Sequence, residues 1–556
     1  MIRNPLVSWI DGRSTRRERR LAAPGESTAT SHAPARWLLY AVWLCVALGT
    51  VVRLRLYLAR RALWFDEAAV ALNVVDRSFL ELLAPLDFRQ TAPPLFLWLE
   101  RTAVLLGGPN ELALRAPALV AGLLLAPLTW WVGQRLTSES AAAIATALVA
   151  FSPPLVYYSN ELKPYAVDAL VTLLLLAGAF HVTGAPTSGR RWTALAAGGA
   201  AALFASTPSV FVLAGVAAFL LLDSHTRRAA GFPAHALATV GAWGVAFAAT
   251  VILHREVADP AAPLGHFLRA SWSPYFLTTS PPGLYERGVR AAHEAIRLTL
   301  FDGRSRPYEL PALAAALVAG IAVVARTRGL ASAALLATPL LALVVAGALQ
   351  QYPLRSRILL FAAPLIAFCL ASAGAALAKT LPRRAAPVGL LVVGLLLLWR
   401  PLSKAATTAW SPPGRYEARE MVRALTPIAA ARREPIWLSG GAENAWRFYS
   451  GLPGPRPYAR TDDFPDPHAR PMPPGVLLGR WFTDSASAAR SGWADIEAAR
   501  IAGAAHPCAL LLFSLAKGAE RRELSRALAR RGARISTLHI RPGARLYRAC
   551  FPDGDA

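Results

Sequence analysis

Long apolar runs separated by short polar segments occupy most of the chain between positions 37 and 400. A helix that crosses a bilayer needs about 20 predominantly apolar residues, so the shorter runs must recruit flanking residues. On this basis the pattern predicts about eleven crossings. The predicted spans are 37–58, 114–132, 141–158, 165–182, 192–206, 210–222, 236–253, 310–325, 330–349, 358–377 and 388–399.

One further apolar stretch, 93–107, is too short for a span and carries Glu100 and Arg101 in its middle. We predict that it forms an interfacial helix on the outer surface of the membrane. A second exception is the long segment 254–309, which is rich in aromatic residues and proline and is predicted to be an outward loop.

The chain beyond position 400 has a different pattern, in which short apolar segments alternate with polar ones. Segments 435–438 and 509–513 predict buried strands, 520–531 predicts an amphipathic helix, and 534–551 predicts a hairpin. Together they predict a small soluble α/β domain. The expected fold class is therefore a polytopic α-helical membrane protein with a C-terminal soluble α/β domain.

Composition agrees with this class. The chain is 54% hydrophobic and only 17% charged, whereas soluble proteins carry about 25% charged residues. The net charge of +25 would suit a nucleic-acid-binding protein. However, the arginines are spread among membrane loops and the C-terminal region, without a basic stripe on one soluble face. We therefore predict no nucleic-acid partner.

The basic residues of the short loops predict how the chain lies in the membrane. Lys and Arg accumulate in cytoplasmic loops, and here one set of loops shares its side with the arginine-rich segment 1–36. We predict three regions: a disordered basic cytoplasmic arm (1–36), a transmembrane domain (37–400) and an extracytoplasmic α/β domain (401–556). The predicted location is a bacterial inner (plasma) membrane. The loop residues used are Arg135, Arg190, Arg191, Arg227, Arg228, Arg326, Arg328, Lys379, Arg383 and Arg384.

Polar residues that could perform chemistry gather on the outward side in this topology. A carboxylate can accept a proton from an attacking hydroxyl, and Lys or Arg can hold a phosphate and stabilise the charge that builds on it. Aromatic residues and prolines at the outer edge suit a sugar ring and a lipid tail. The combination predicts sugar transfer from a lipid phosphate. The candidate residues are Asp66, Glu67, Gln90, Lys163, Tyr165, Asp168, Arg355 and Arg357.

The order of these motifs resembles that of the GT-C glycosyltransferases, and in particular the aminoarabinose transferases and protein O-mannosyltransferases. The similar segments are 64–68, 92–96, 111–117, 158–168 and 352–357. The resemblance implies a polyprenyl-phosphate-linked sugar donor, an extracytoplasmic acceptor (lipid, polysaccharide or protein) and Asp66 as the general base. Many relatives carry a His where this chain has Ala92, so a role for that His does not transfer.

The resemblance does not predict whether a metal is required, since some GT-C enzymes bind a divalent metal and others do not. If a metal binds, Asp66 and Glu67 are the candidate ligands. We expect a single displacement with inversion at the anomeric carbon, because one base is present without a second carboxylate as covalent nucleophile. Cys508 and Cys550 both lie in the predicted outward domain, where they could form a disulfide or remain free thiols.

Other interpretations of the same residues compete with this one. Asp66 and Glu67 could simply stabilise a helix N-terminus, and Arg115 could be a snorkelling side chain at the start of its span. Tyr157, Tyr158 and Trp272 fit an ordinary aromatic belt. At the level of function, the main alternative is a multi-span transporter or lipid flippase, and a membrane-anchored assembly or sensor protein is a third.

Overall fold

A computed structural model describes residues 36–259, 262–277, 288, 300–301, 309–412, 414, 417–451, 472–479, 492–505, 507–516 and 518–552. The predicted arm 1–36 lies outside the described residues except for Arg36, as does a large part of the predicted loop 254–309. The chain divides into two compact units, Met1–Tyr40 and Ala41–Ala556. The second unit contains all contacts discussed below. The domain boundaries predicted from the sequence stay a prediction.

Helices are the regular secondary structure of the described part of the membrane region, and turns and loops connect them. They are α1 Arg36–Leu58, α2 Phe65–Asp76, α3 Pro94–Gly107, α4 Ala116–Leu136, α5 Glu139–Phe151, α6 Pro153–Tyr158, α7 Tyr165–Thr183, α8 Gly189–Ala205, α9 Ser209–Leu222, α10 Ser224–Arg227, α11 Phe232–Leu253, α12 Arg255–Ala258, α13 Pro263–Trp272, α14 Glu309–Ala348, α15 Ala363–Lys379 and α16 Ala386–Trp410. Short 3₁₀ turns at Glu81–Leu83, Ala113–Arg115, Ser273–Tyr275 and Ser356–Ala362 join some of them.

Seven helical segments of the described residues are long and apolar enough to cross a membrane. Two shorter apolar helices, α5 and α9, accompany them. Every span predicted from the sequence overlaps a helix, and the predicted fold class is confirmed, while the number of eleven crossings stays a prediction. The seven segments are Arg36–Leu58, Ala113–Leu136, Tyr165–Thr183, Phe232–Leu253, Pro311–Ala348, Arg357–Lys379 and Ala386–Trp410.

Two breaks in the helices follow directly from the local sequence. Gly329 interrupts α14 with a φ of 89°, a conformation that favours glycine, and it separates the two predicted spans 310–325 and 330–349. The run 141–158 was predicted as one span but forms two helices, α5 and α6. The break occurs because Ser152 caps α6 by accepting a hydrogen bond from the Leu155 amide (3.3 Å), directly before Pro153.

The membrane helices pack around a continuous apolar core in which α15 is the most enclosed span. In the most apolar stretch of the segment Arg357–Lys379, which contains α15, 83% of the residues are buried. In the corresponding stretch of α16 only 6% are buried. Close packing is achieved in part by Gly320 of α14, where an added Cβ would lie 1.9 Å from the Cys369 carbonyl oxygen of α15. The two helices could not approach this closely with any larger residue at position 320.

Both exceptional stretches contain helices among their described residues. The stretch 93–107 forms the helix α3, as predicted, and it is not among the spanning segments. Residues 263–275, predicted to be part of a loop, instead form α13 and a 3₁₀ turn. The chain after this turn hydrogen-bonds to the loop after α14: the Leu277 amide donates to the Gly347 carbonyl (3.2 Å) and the Leu354 amide to the Tyr275 carbonyl (2.8 Å).

The C-terminal region contains a small sheet domain, as the sequence predicts. Its strands have the order β2-β1-β3-β5-β4, with β1 parallel to both of its neighbours and β5 antiparallel to both of its neighbours. The elements are α17 Ala418–Arg432, β1 Ile436–Leu438, α18 Glu443–Ser450, β2 Val476–Leu478, α19 Trp493–Ala504, β3 Cys508–Ser514, α20 Gly518–Arg530, β4 Arg534–Arg541 and β5 Ala544–Cys550.

Helices cover both faces of this sheet, because side chains alternate along each strand. Trp437, Leu511 and Phe513 pack on one face with α19 and α20, while the residues between them pack on the other face with α17 and α18. Cys508 and Cys550 are directly opposite each other on β3 and β5, and their sulfurs are joined as a disulfide.

Candidate active site

The first turn of α2 holds the two carboxylates on which the sequence analysis centres. Trp64 precedes α2 in an extended conformation, and Glu67 closes a capping box by accepting a hydrogen bond from the Trp64 amide (3.3 Å). An acid at this position also interacts favourably with the helix dipole. Glu67 thus stabilises the helix N-terminus, which is the alternative role given above for both acids. The surroundings of Asp66 are different.

Asp66 is partly exposed and pairs with an arginine from far along the chain. Its Oδ2 lies 3.3 Å from Nη1 of Arg357, although the two residues are 291 positions apart. Both side chains keep about a fifth of their surface exposed, 21% for Asp66 and 22% for Arg357. We call the group formed by Asp66, Gln90, Lys163, Arg355 and Arg357 the Asp66 cleft.

Lys163 reaches this cleft from the turn before α7. Its Nζ donates a hydrogen bond to Oε1 of Gln90 (2.9 Å), which connects the segment before α3 to the segment before α7. Burial lowers the pKa of Lys163, an effect that Asp66 partly offsets and Arg357 reinforces. Gln90 is presented by two residues in the left-handed region, Phe88 (φ 60°) and Arg89 (φ 54°), a strained arrangement of the kind found at ligand-binding sites.

Arg355 and Arg357 both lie against the ring of Trp272, one of the residues predicted to form an aromatic belt, and Arg355 also lies against Tyr275. The Arg355 guanidinium is 4.6 Å from the ring centre of Tyr275 and 5.3 Å from that of Trp272. The Arg357 guanidinium is 5.5 Å from the same Trp272 ring. Such distances are typical of cation–π contacts. Trp272 therefore belongs beside the cleft, which no pattern in the sequence indicated.

Glu67 lies in a buried ionic cluster next to the cleft. Its Oε1 accepts hydrogen bonds from Arg115 Nε (2.8 Å) and the Leu162 amide (2.8 Å), and its Oε2 accepts one from Arg115 Nη2 (2.6 Å). Arg115 also donates to the carbonyls of Arg61 (2.6 Å) and Ala62 (3.3 Å). We call this group, Glu67 and Arg115 with their backbone partners, the Glu67 clasp.

The clasp corrects one expectation and explains the charge state of Glu67. Arg115 is not a snorkelling side chain: it is only 3% exposed and is fully committed to the protein interior. Burial would raise the pKa of Glu67, but the Arg115 guanidinium, the Arg61 charge and the Leu162 amide together hold that pKa below its usual value. Glu67 is therefore ionised and joins three segments of the chain.

Glu100 of α3 is the opposite case of a buried acid. It is 0% exposed, and neither carboxyl oxygen has a hydrogen-bond partner among the described residues. Burial, reinforced by the nearby Glu67 charge, raises the pKa of Glu100 well above its usual range. The neutral form is favoured there, since an isolated buried carboxylate is costly.

Tyr165 and Asp168, two further residues predicted for the site, lie in the first turns of α7. Tyr165 is buried and packs edge-on against Tyr158, with ring centres 5.0 Å apart. Asp168 is 4% exposed, and within the described residues no hydrogen bond or ion pair joins its carboxylate to Asp66, Lys163 or Arg357. Tyr165 therefore packs on another aromatic ring while lying near the charges of Arg357 and Asp66, and Asp168 is a buried acid one turn further along α7.

The residues around Asp66 do not fit a divalent cation. Both Glu67 oxygens already accept hydrogen bonds from Arg115, and the nearest partner of Asp66 is itself a cation, Arg357. Divalent metals need several oxygen or nitrogen ligands. Among the residues that the structure describes, no group of three or more His, Cys, Asp and Glu side chains is arranged to hold a metal.

Comparison with known proteins bears on the membrane region. Residues 91–254 match the family described as dolichyl-phosphate-mannose-protein mannosyltransferase. The matched part contains three of the five motif segments, 92–96, 111–117 and 158–168, but neither Asp66 nor Arg357. Because the match covers less than half of the chain, it shows that this part is similar to the family and does not assign the whole chain to it. No curated protein sequence matches the chain significantly.

Solved structures extend the comparison to almost the full length. ArnT from Cupriavidus metallidurans in the apo state superposes with a TM-score of 0.50 at 13% identity, covering 92% of this chain and 98% of that one. The fold is that of ArnT. The same protein bound to undecaprenyl phosphate gives 0.49 at 12% identity, with 93% and 98% covered. The Archaeoglobus fulgidus oligosaccharyltransferase tethered with an acceptor peptide gives 0.47 at 11% identity, with 75% and 63% covered.

The resemblance to GT-C glycosyltransferases that the motifs indicated is therefore confirmed. At these low identities the likeness to ArnT establishes the fold and leaves the chemistry to the residues of the cleft.

Proposed function

We propose that this protein is a membrane glycosyltransferase that moves a sugar from a polyprenyl-phosphate donor to an acceptor outside the cytoplasm. The observation that carries the proposal is the Asp66–Arg357 pair, in which a carboxylate and a guanidinium from distant segments meet at 3.3 Å in a partly open cleft. The match of residues 91–254 to a mannosyltransferase family that uses a lipid-phosphate sugar supports the same reaction class.

In the proposed reaction, Asp66 is the general base. The acceptor oxygen attacks the anomeric carbon of the donor sugar while its proton passes to the Asp66 carboxylate. The bond between the anomeric carbon and the phosphate oxygen breaks, and its electron pair stays on the lipid phosphate. This single displacement inverts the anomeric carbon. An acceptor amine would react in the same way.

The cations of the cleft hold the departing phosphate in this scheme. Arg357 and Lys163 lie beside Asp66, and Arg355 is stacked in the same loop. Charge-assisted hydrogen bonds from such groups stabilise the negative charge that grows on the leaving phosphate. A bound donor would also compete for Arg357, because its phosphodiester carries one negative charge and, like the Asp66 carboxylate, offers oxygens that accept hydrogen bonds from a guanidinium. Donor binding would thereby release Asp66 to accept the proton.

The positions of these charges favour an enzyme over a transporter. Asp66 lies in the first turn of α2, Lys163 precedes α7, and Arg357 opens a spanning segment. All three therefore lie at ends of helices, whereas the coupling charges of transporters lie near the bilayer midplane. We place the cleft on the outer face of a bacterial inner membrane, with the N-terminus inside and the sheet domain outside.

The test is transfer by an Asp66→Asn variant in detergent with a polyprenyl-phosphate sugar as donor. Loss of a general base lowers rates by about 10²- to 10⁴-fold, so we expect transfer to fall by that factor while the protein folds normally. The matched control is Asp495→Asn, which changes an exposed acid of the sheet domain and should transfer at the wild-type rate. Wild-type transfer by Asp66→Asn would refute the assignment.

A further inference from the structure

The segment that leads into Asp66 is held by the C-terminal sheet domain. Arg419 of α17 donates a hydrogen bond to the carbonyl of Arg60 (2.8 Å). Tyr449 of α18 accepts one from the Leu63 amide (2.7 Å). These contacts lie at most six residues before the proposed base, and they join parts of the chain more than three hundred positions apart.

Asn444, also in α18, makes the contact nearest to the base. Its Nδ2 donates to the carbonyl of Phe65 (3.2 Å), the residue directly before Asp66. Asn444 is 1% exposed, so its side-chain amide needs a partner within the protein and this hydrogen bond is costly to lose. The same helix also packs on α2 through Phe448, which contacts the buried cluster of Ala69, Leu72 and Phe88.

Glu111, which precedes the turn Ala113–Arg115, joins the Tyr449 and Arg419 contacts to each other. Its Oε1 accepts hydrogen bonds from the Tyr449 hydroxyl (3.0 Å) and from Arg419 Nη1 (2.7 Å). The Tyr449 hydroxyl therefore donates to Glu111 and accepts from Leu63 at the same time. Burial raises the pKa of Tyr449 well above its usual range, so the hydroxyl keeps the proton that this bridge requires.

Backbone geometry explains why the segment needs such support. Arg60 has a φ of 44°, in the left-handed region that non-glycine residues rarely adopt. A strained residue of this kind persists only where the surrounding structure holds it. The Arg419 hydrogen bond to its carbonyl and the Tyr449 hydrogen bond to Leu63 supply that support from the sheet domain.

We propose that the C-terminal domain holds the general base in place, with Tyr449 and Asn444 as positioning residues for Asp66. This inference rests on the proposed function, because it assigns the C-terminal sheet domain a role in the same reaction. Neither residue touches the reacting atoms. They act through the backbone of residues 63–65, and so they set where the Asp66 carboxylate stands relative to the acceptor.

The experiment compares Tyr449→Phe, Asn444→Ala and the double variant with wild type, all as full-length protein in detergent. Misplacing a reacting group by about 1 Å costs up to about 10²-fold in rate. We therefore expect kcat to fall by about 10- to 100-fold in the double variant, while the KM for the polyprenyl-phosphate sugar stays unchanged. Hydrogen–deuterium exchange should rise in residues 60–68 and stay unchanged in α7.

The matched control is Tyr547→Phe, which removes a hydroxyl from the same domain at a ring that packs on Phe513. It should leave both kcat and exchange at wild-type values. Unchanged exchange in residues 60–68 of the double variant would overturn the inference. So would raised exchange with an unchanged kcat, or a kcat and KM that change together. Each single variant removes one polar group, so the test survives if the double variant does not fold.

The exchange measurement separates this inference from the proposed function. If wild-type protein transfers no sugar, the proposed function fails. Raised exchange in residues 60–68 of the double variant would still establish that the C-terminal sheet domain holds this segment. If wild type transfers sugar and only the exchange prediction fails, the positioning role alone is lost.

Discussion

The Asp66 cleft and the Glu67 clasp begin at neighbouring residues, yet they differ in almost every physical respect. Asp66 is 21% exposed and has one ion pair at 3.3 Å, whereas the Glu67 side chain is 1% exposed and pairs with Arg115 at 2.6 Å. Successive residues of a helix point about 100° apart. One carboxylate consequently reaches the open cleft while the next one is driven into the protein interior.

This difference separates a reactive group from a structural one. A general base needs water or substrate within reach and a partner that can leave, which describes the Asp66–Arg357 pair. A carboxylate that joins three buried segments needs the opposite, namely short, complete hydrogen bonding without exposure. Asp66 therefore has the features of a reactive group and Glu67 those of a structural one, although the sequence motif alone does not distinguish the two acids.

Breaking the clasp should have the largest effect on stability. The change Glu67→Gln leaves the Arg115 charge buried without its counter-ion, and removing one partner of a buried ion pair costs about 3–5 kcal/mol. We expect a strong drop in the thermal unfolding temperature of the detergent-solubilised protein. Asp66→Asn is the matched control, and it should unfold close to the wild-type temperature. Equal unfolding temperatures for the two variants would contradict the division of roles.

Removing the Arg357 cation of the cleft should have an intermediate effect, which is measured here as a loss of donor affinity. Arg357→Ala deletes a charge-assisted contact to the donor phosphate, and such contacts contribute about 1.5–3 kcal/mol. We expect donor affinity to fall by about 10- to 100-fold, with a smaller change in acceptor affinity, both measured by titration. Arg530→Ala, at an exposed ion pair of the sheet domain, is the control. Unchanged donor affinity would remove Arg357 from the phosphate site.

The smallest expected effect comes from the aromatic side of the cleft. Trp272→Leu removes a cation–π partner of Arg355 and Arg357, a contact that contributes about 0.5–1 kcal/mol at a partly exposed site. We expect donor affinity to weaken by about two- to fivefold. Trp131→Leu removes the ring that stacks on Arg135 instead and should leave donor affinity unchanged. Equal effects of the two substitutions would show that Trp272 has no specific role.

Much of the fold was readable from the sequence because its signals are local. Apolar runs predicted the helices of the membrane region, and alternating short segments predicted strands β1 and β3 and the hairpin of β4 and β5. The main errors were also local in origin. The capping residue Ser152 divides one predicted span into two helices, and 263–275 forms α13 and a turn where a loop was expected.

The candidate site was predictable only as a set of residues on one side of the membrane. Asp66, Gln90, Lys163 and Arg357 were all named from their positions in outer segments, and the structure brings them together in pairs. The packing partners were not predictable. Nothing in the sequence indicated that Trp272 stacks beside Arg355 and Arg357 or that Arg115 pairs with Glu67.

The sequence by itself determined which segments are helical, which residues are ionisable, and that the chain has the composition of a membrane protein. These properties follow from hydropathy and periodicity along a few neighbouring residues. Only the tertiary structure decided which of two adjacent acids is exposed, which arginine faces it, and that Tyr449 and Asn444 hold the segment before it. Such contacts join residues hundreds of positions apart, and they are set by the packing of whole helices and of the sheet domain against each other.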